Sequence, residues 1–214
     1  MDEAEARAIL AERFAVPRET FERIEGFLAL LRRENERQNL VSRSTLDQLW
    51  ARHVLDSAQL LAFVDDRQAS WADLGSGAGF PGLIVGLLHP GPVTLIEQRR
   101  LRADFLERGA ERLGISGKIH ILCANAGQIE LPPFDVISAR AFAPLDRLLS
   151  LALHLSTPCT VWVLPKGRNA KSELDAARAS WQGRFRLEPS LTDPDALIIV
   201  ADQVERRRKG KRAR

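Results

Sequence analysis

The stretch Trp71-Ala72-Asp73-Leu74-Gly75-Ser76-Gly77-Ala78-Gly79-Phe80-Pro81-Gly82 constrains this chain more than any other. A short apolar run carries a carboxylate. Glycines then alternate with small or apolar residues, and a second apolar run follows over 83–88. This order reads as strand, tight turn, helix. Glycine is needed where backbone takes φ > 0 or lies directly against a ligand. A helix that starts at a strand's carboxyl end offers free N–H groups and the positive end of its dipole. The turn is therefore suited to seat a nucleotide-like cofactor at the edge of a parallel sheet.

The identity of that cofactor stays open at this point. Gly75, Gly77 and Gly79 fit D-x-G-x-G-x-G, which resembles the cofactor loop of class I S-adenosylmethionine (SAM) methyltransferases. Gly77, Gly79 and Gly82 also fit the G-x-G-x-x-G dinucleotide fingerprint. A glycine-rich turn with no ligand is the third reading. Glu97 follows about twenty residues on, at the end of the apolar run 93–96, where ribose hydroxyls are read in both cofactor classes.

Strand-like runs recur at 71–74, 93–96, 118–123, 135–139, 160–164, 184–188 and 196–201. Helical stretches lie between them at 80–89, 99–114, 145–155 and 170–182. Alternation of this kind predicts an α/β fold with a doubly wound parallel sheet. Only a short Pro/Asp turn separates the last two strands, too little for a crossover helix, so the seventh strand should be antiparallel. A seven-stranded sheet that ends this way favours the class I methyltransferase architecture over a dehydrogenase sheet. Three segments follow: an N-terminal helical extension over 1–66, a cofactor-binding core over 67–204, and a basic, disordered tail over 205–214.

The extension shows apolar residues at helical spacing over 2–14 and from Pro17 to about Asn35, then again from 46 to 55. Within it, Arg52-His53-Val54-Leu55-Asp56-Ser57 stands out. His53 and Asp56 are three apart and share a helix face. They form either a local His–Asp hydrogen bond or a wall of a cofactor or RNA cleft. Four His in the chain, without a second ligand at suitable spacing, give no metal site.

Composition limits the remaining choices. At 45% hydrophobic and 28% charged, the 214 residues suit one soluble domain with an extension. The run from Phe80 to Ile96 is broken by proline and glycine, so no membrane span is expected. The acidic N-terminus lacks a hydrophobic region and reads as no signal peptide. Cys123 and Cys159 sit in separate apolar runs and read as buried thiols of a cytoplasmic protein. Seven Lys/Arg against Glu205 give the last ten residues a charge of +6, while the other 204 carry −3. Such a tail suits contact with a polyanion, with Arg206, Arg207 and Arg208 as candidates.

Ligands in open parallel sheets lie beyond the strands' carboxyl ends. That places Gly75 to Phe80, Glu97, the segment 124–127, Arg140 and Lys166 around one cleft. Arg140 either meets an anion there or pairs with Asp135 or Asp146. Lys166 either faces RNA or caps its strand. The Arg99-Arg100-Leu101-Arg102 cluster reads mainly as a solvated face. The chain has no Tyr, no Asn/Asp-Pro-Pro-aromatic run, and no Cys in a loop suited to nucleophilic attack. A methyl acceptor that needs neither deprotonation nor covalent activation would fit. The N7 atom of guanine is one, because its lone pair is free. Catalysis would then consist of alignment and electrostatics.

Five segments in order carry a family resemblance: Asn39-Leu40-Val41-Ser42, Arg52 to Ser57, Asp73 to Gly82, Val136-Ile137-Ser138-Ala139-Arg140-Ala141-Phe142-Ala143-Pro144-Leu145, and Lys166-Gly167. The chain resembles the RsmG (GidB) family of bacterial 16S rRNA (guanine(527)-N7)-methyltransferases. The resemblance implies S-adenosyl-L-methionine held by Gly75, Phe80, Ala126, Gly127 and Arg140. Arg140 serves as a positioning residue, and no covalent nucleophile is expected. Gly77, Gly79 and Glu97 complete the cofactor contacts. The implied partner is 16S rRNA or a small ribosomal subunit particle, met by a cytoplasmic monomer without a membrane. Two departures stand out. Gly127 occupies a position that is often acidic in the family, and Glu97 one where Asp is also common. The rivals are an NAD(P)-dependent Rossmann oxidoreductase and a non-catalytic RNA-binding protein that keeps the fold.

Overall fold

The computed structural model describes residues 1–207. Seven strands form one sheet in the order β3-β2-β1-β4-β5-β7-β6. These are β1 (Trp71–Leu74), β2 (Val93–Glu97), β3 (Ile119–Cys123), β4 (Val136–Ser138), β5 (Val161–Lys166), β6 (Trp181–Pro189) and β7 (Leu197–Arg206). β1 pairs in parallel with both β2 and β4, while β7 is antiparallel to β5 and to β6. This is the doubly wound α/β sheet with an antiparallel last strand that the sequence predicts. The strand order reverses between β1 and β4, so their carboxyl ends open the crevice where such sheets hold ligands.

Each central strand feeds two cores, because alternate side chains point to opposite faces. Trp71 of β1 joins α2, α4 and α5 in one core, while Ala72 and Leu74 join α6 and α7 in the other. The helices are α1 (Glu3–Arg13), α2 (Arg18–Gln38), α3 (Asp56–Ala58), α4 (Gly82–Leu88), α5 (Arg100–Leu113), α6 (Leu145–Ala152) and α7 (Ala170–Ala177). The extension shares the first core, since Phe27 of α2 packs edge-on against Phe80 at 5.6 Å and lies 6.1 Å from Phe105 of α5. A π turn over Trp50–Leu55 carries Arg52 and His53 and leads directly into α3, which carries Asp56 and Ser57; 3-10 turns over Arg43–Gln48 and Gln59–Phe63 lie on either side. Isolated π turns often sit at functional sites because they re-aim side chains within a helix.

Three expectations are corrected. The helix expected over 170–182 ends at Ala177, and Trp181 opens β6. The register shift beside Gly183 (φ +154°) breaks the alternation that would have marked the longer strand. β7 runs on to Arg206, paired with β6, and the Arg207 N–H bonds the Ser180 carbonyl, so 205–207 are bonded to β6 and its approach and are not part of a disordered tail. Arg208 and the rest of that tail lie outside the described residues. Both cysteines are exposed. Cys123 ends the edge strand β3, and Cys159 lies in the turn before β5, where no layer covers it. Among the described residues, no helix is long and apolar enough to cross a membrane.

Candidate active site

The turn after β1 needs its glycines for conformation. Gly75 and Gly79 take φ of +68° and +89°, the left-handed region that L side chains avoid. The turn is bonded to the end of β2. The Gly75 N–H donates to the Ile96 carbonyl at 2.8 Å, and the Gly77 N–H to Glu97 Oε2 at 3.0 Å. Glu97 Oε1 also accepts the Arg99 N–H at 2.9 Å. The carboxylate is buried, yet each of its oxygens keeps a second lone pair. It lines a cavity of about 290 Å³ together with Gly75, Gln98, Asn125, Ala126 and Phe142. Arg99, Arg102 and Arg147 also line it, so part of the basic cluster read as a solvated face borders this cavity.

Asp73 occupies the start of α4. Its side chain is fully buried, with Oδ2 accepting the Gly82 N–H at 3.1 Å. Oδ1 accepts from Ser138 Oγ at 2.8 Å, and Ser138 in turn accepts from Trp71 Nε1 at 2.9 Å. Burial pushes the Asp73 carboxyl up to about 6, against hydrogen bonds from Ser138, Ser76 and Gly82 that pull it down. The helix start that would cradle a pyrophosphate already holds a carboxylate of the protein itself. That carboxylate puts negative charge beside the place a pyrophosphate would take, which favours an adenosine cofactor without phosphate.

Arg140, just past β4, is held by the extension rather than by Asp135 or Asp146. Its Nη1 donates to Asp56 Oδ2 at 3.2 Å and to the Arg52 carbonyl at 3.1 Å, and its Nη2 donates to His53 Nδ1 at 2.9 Å. The guanidinium lies 5.4 Å from the Phe80 ring centroid, and His53 stacks on that ring at 4.9 Å. His53 and Asp56 therefore do not bond each other; Arg140 joins them. Asp135 instead accepts both the N–H and the hydroxyl of Ser70, and Asp146 accepts Trp181 Nε1. Burial, then the charges of Arg140 and Arg52, drives His53 down to about 3. The ring is thus neutral, with Nδ1 accepting from Arg140 and Nε2–H donating to Thr45 Oγ1 at 3.0 Å.

Arg140, His53 and Asp56 line a second cavity of about 690 Å³. Ala141, Phe142 and Ala143 line both cavities and so form the partition between them. A Cβ added at Gly75 would lie 2.4 Å from Phe142 Cδ2, so this ring rests directly on the glycine turn. Ala141 has φ +51°, an uncommon conformation for alanine that turns the chain at the partition. Lys166 Nζ borders the second cavity, donating to the Ala143 carbonyl and to Glu173, both at 2.9 Å.

Of the residues predicted from sequence, Gly75, Glu97 and Ala126 border the first cavity. Gly77 and Gly79 shape its turn, and Arg140 and Lys166 border the second, with Phe80 beneath Arg140. Gly127 borders neither; its N–H is held by Asn125 Oδ1, and an added Cβ would meet Leu151 at 2.9 Å. Arg206 and Arg207 lie away from the cleft. β7 runs antiparallel to β5, so its last residues are at the opposite end of the sheet from Lys166. Arg206 lies 5.6 Å from the Trp181 ring, and Arg207 Nε bonds the Trp181 carbonyl. Sequence reasoning missed Asp193 and Arg147, which carry no motif signal of their own. Among the described residues, no group of three or more His, Cys, Asp or Glu is arranged to hold a metal.

Comparison with known proteins gives this geometry a family. The model of the family "GidB: rRNA small subunit methyltransferase G" matches residues 20–189. Ribosomal RNA small subunit methyltransferase G of Rhizorhabdus wittichii is 51% identical, over 100% of this chain and 99% of its own length. The protein of the same name from Zymomonas mobilis is 46% identical over 99% and 100%. Among solved structures, an O-methyltransferase of Bacillus cereus in complex with SAH aligns with a TM-score of 0.60 at 16% identity, over 93% of this chain and 97% of that one. A ribosomal protein L11 methylase of Lactobacillus delbrueckii aligns at 0.57 and 16% identity, over 73% and 79%. At these identities the solved structures speak for the fold alone. With a glycine turn, a carboxylate at the second strand and a matched family model over most of its length, the chain belongs to the rRNA small subunit methyltransferase G family.

Proposed function

We propose that this protein transfers a methyl group from S-adenosylmethionine to N7 of a guanine, position 527, in 16S rRNA. The observation that carries the choice of cofactor is the glycine turn bonded to the buried Glu97 carboxylate at the first cavity, with Asp73 rather than a ligand phosphate on the first N–H of α4. The curated relatives are named for methylation of small-subunit rRNA, which supports the acceptor class.

In this reading Gly75 and the turn through Gly79 give the cofactor a surface without side chains. Glu97 accepts ribose hydroxyls through its remaining lone pairs, and Ala126 borders the adenine, with Gly127 supporting the segment behind it. When bound, S-adenosylmethionine supplies an electrophilic sulfonium methyl, which the N7 lone pair takes as the carbon–sulfur bond breaks and its electrons return to sulfur. No proton is removed, so the protein needs no general base. Arg140, fixed by His53 and Asp56, is a positioning residue at the meeting of the two cavities. Alignment of the reactants accounts for most of the rate enhancement. We place the enzyme in the cytoplasm as a monomer, where its rRNA substrate is found.

Calorimetry with S-adenosylmethionine and with NADH tests the cofactor. Transfer of a tritiated methyl to small subunits and to free 16S rRNA tests the reaction. Binding of the first ligand alone, with label on 16S rRNA, is the expected result. NADH binding, or cofactor binding without transfer to either RNA, would overturn it.

A further inference from the structure

The second cavity contains an ion pair that the reaction as described does not use. Arg52 Nη1 bonds Asp193 Oδ2 at 2.7 Å. Arg52 extends from the π turn of the extension, and Asp193 from the loop between β6 and β7. Both side chains stay partly open, at 41% and 28% exposure. Asp193 Oδ1 accepts the Asp195 N–H at 3.0 Å, which fixes the carboxylate plane. Hydrogen bonds from Arg52 and Asp195 hold its carboxyl below the usual range, so it is ionised. Beside the pair, Phe142, Pro144 and Pro165 offer flat apolar surfaces.

Resting on the reading above, we infer that this cavity takes the acceptor base, and that the Arg52–Asp193 pair reads its Watson–Crick edge as guanine. An arginine beside a carboxylate presents one donor followed by two acceptor oxygens. Guanine presents the complement along one edge, an O6 acceptor and then the N1–H and N2–H donors. Adenine presents N6–H and a bare N1, which sets lone pair against lone pair at the carboxylate. Glu or Asp accepting from a base amine, and Arg donating to O6, are established modes of base reading. N7 lies on the other side of the purine from N1 and N2. A base held at N1 and N2 by Asp193 therefore turns N7 away from that carboxylate, beyond O6, and in this pose N7 faces the partition that separates it from the cofactor cavity. A base in that position has left its stack, and the apolar surfaces replace the stacking it lost.

The same contact strengthens during the reaction. The purine gains positive charge as N7 takes the methyl, which makes N1–H a better donor to Asp193. A bond that tightens toward the transition state raises kcat and not only affinity. Asp193 is in this sense a specificity residue that touches the substrate.

The test compares full-length wild type, Asp193→Asn and Arg52→Lys on 16S rRNA assembled with guanosine or with inosine at the acceptor position. Inosine lacks only the 2-amino group. Wild type should prefer guanosine by about tenfold or more in kcat/KM, the discrimination typical of a bidentate base contact. Asp193→Asn should lose kcat on guanosine and methylate both bases at similar rates, with S-adenosylmethionine affinity unchanged. Arg52→Lys, which keeps the charge but not the fork, should lower turnover on both bases while keeping their ratio. A pair that merely tied the loop to the extension would lower the melting temperature and leave the base ratio of Asp193→Asn at the wild-type value. That outcome overturns the inference while leaving methyl transfer intact. A wild type that transfers no methyl to either RNA overturns the functional reading, and this inference with it.

Discussion

Replacing Glu97 with Gln separates the two roles assigned to this side chain. The carboxylate accepts two backbone N–H groups, from Gly77 at 3.0 Å and Arg99 at 2.9 Å, and it is buried. A glutamine has one acceptor oxygen, so one of these N–H groups would face an NH₂ instead. A buried bond to a charged group contributes about 1.5–3 kcal/mol. For a domain of this size that corresponds to a fall in Tm of roughly 3–12 °C. The cofactor effect is separate. If Glu97 accepts a ribose hydroxyl, loss of the charge should weaken S-adenosylmethionine binding by about 10- to 150-fold. Calorimetry well below the Tm of the variant isolates this second effect. A folded Glu97→Gln protein that binds S-adenosylmethionine as tightly as wild type would remove Glu97 from the cofactor site, whatever its Tm.

Other consequences follow from the same contacts. Gly75→Ala combines a left-handed φ, which costs roughly 1–2 kcal/mol, with a Cβ 2.4 Å from Phe142. In a Phe142→Ala background only the first cost should remain, so the two changes should couple strongly in chemical denaturation; simple additivity would refute the contact. His53 is held down to about 3 from 6.5, so the folded state binds fewer protons than the unfolded one between those values. Its contribution is full above pH 6.5 and fades as pH falls, by about 2 kcal/mol at pH 5. His53→Gln should therefore lose less stability than wild type between pH 7 and 5. Equal losses would contradict a neutral, Arg140-bonded ring. Asp73, raised to about 6, acts in the opposite sense: its contribution is full below 3.8 and fades as pH rises through 6. Comparing wild type with the His53 variant cancels that term. Removal of 205–214 takes Glu205, Arg206 and Arg207 away from their bonds to the β6 side of the sheet and should lower Tm, whereas removal of 208–214 spares those bonds. If the tail meets RNA by charge, the shorter cut should weaken RNA binding more at low salt than at high salt.

Much of this was legible in the sequence because local signals agreed with the fold. The Asp73–Gly82 turn carries its function in glycines that have few other reasons to recur, and strand alternation gave the sheet and its antiparallel end. Contacts between segments far apart in the chain were not legible. Arg140 finds Asp56 and His53 more than eighty residues upstream, and no spacing rule distinguishes that pairing from one with Asp135 or Asp146. Asp193 sits in a Pro/Asp turn that reads as a simple reversal, and only the packing of the extension against that loop brings Arg52 to it. The failure at Trp181 was local: Gly183 and its bulge hide the period-two pattern, and the apolar spacing before it mimics a longer helix. Arg206 and Arg207 carried the right charge but the wrong place, because an antiparallel strand returns its end to the far side of the sheet.

The measurement that bears most directly on the account is the position of the label on 16S rRNA after incubation of small subunits with the pure protein and methyl-labelled S-adenosylmethionine. One methyl per RNA is expected, on N7 of guanine 527, detected by mass spectrometry and by chain cleavage at the methylated purine. Label on a different atom or base, or none in a protein that binds the cofactor, would contradict it.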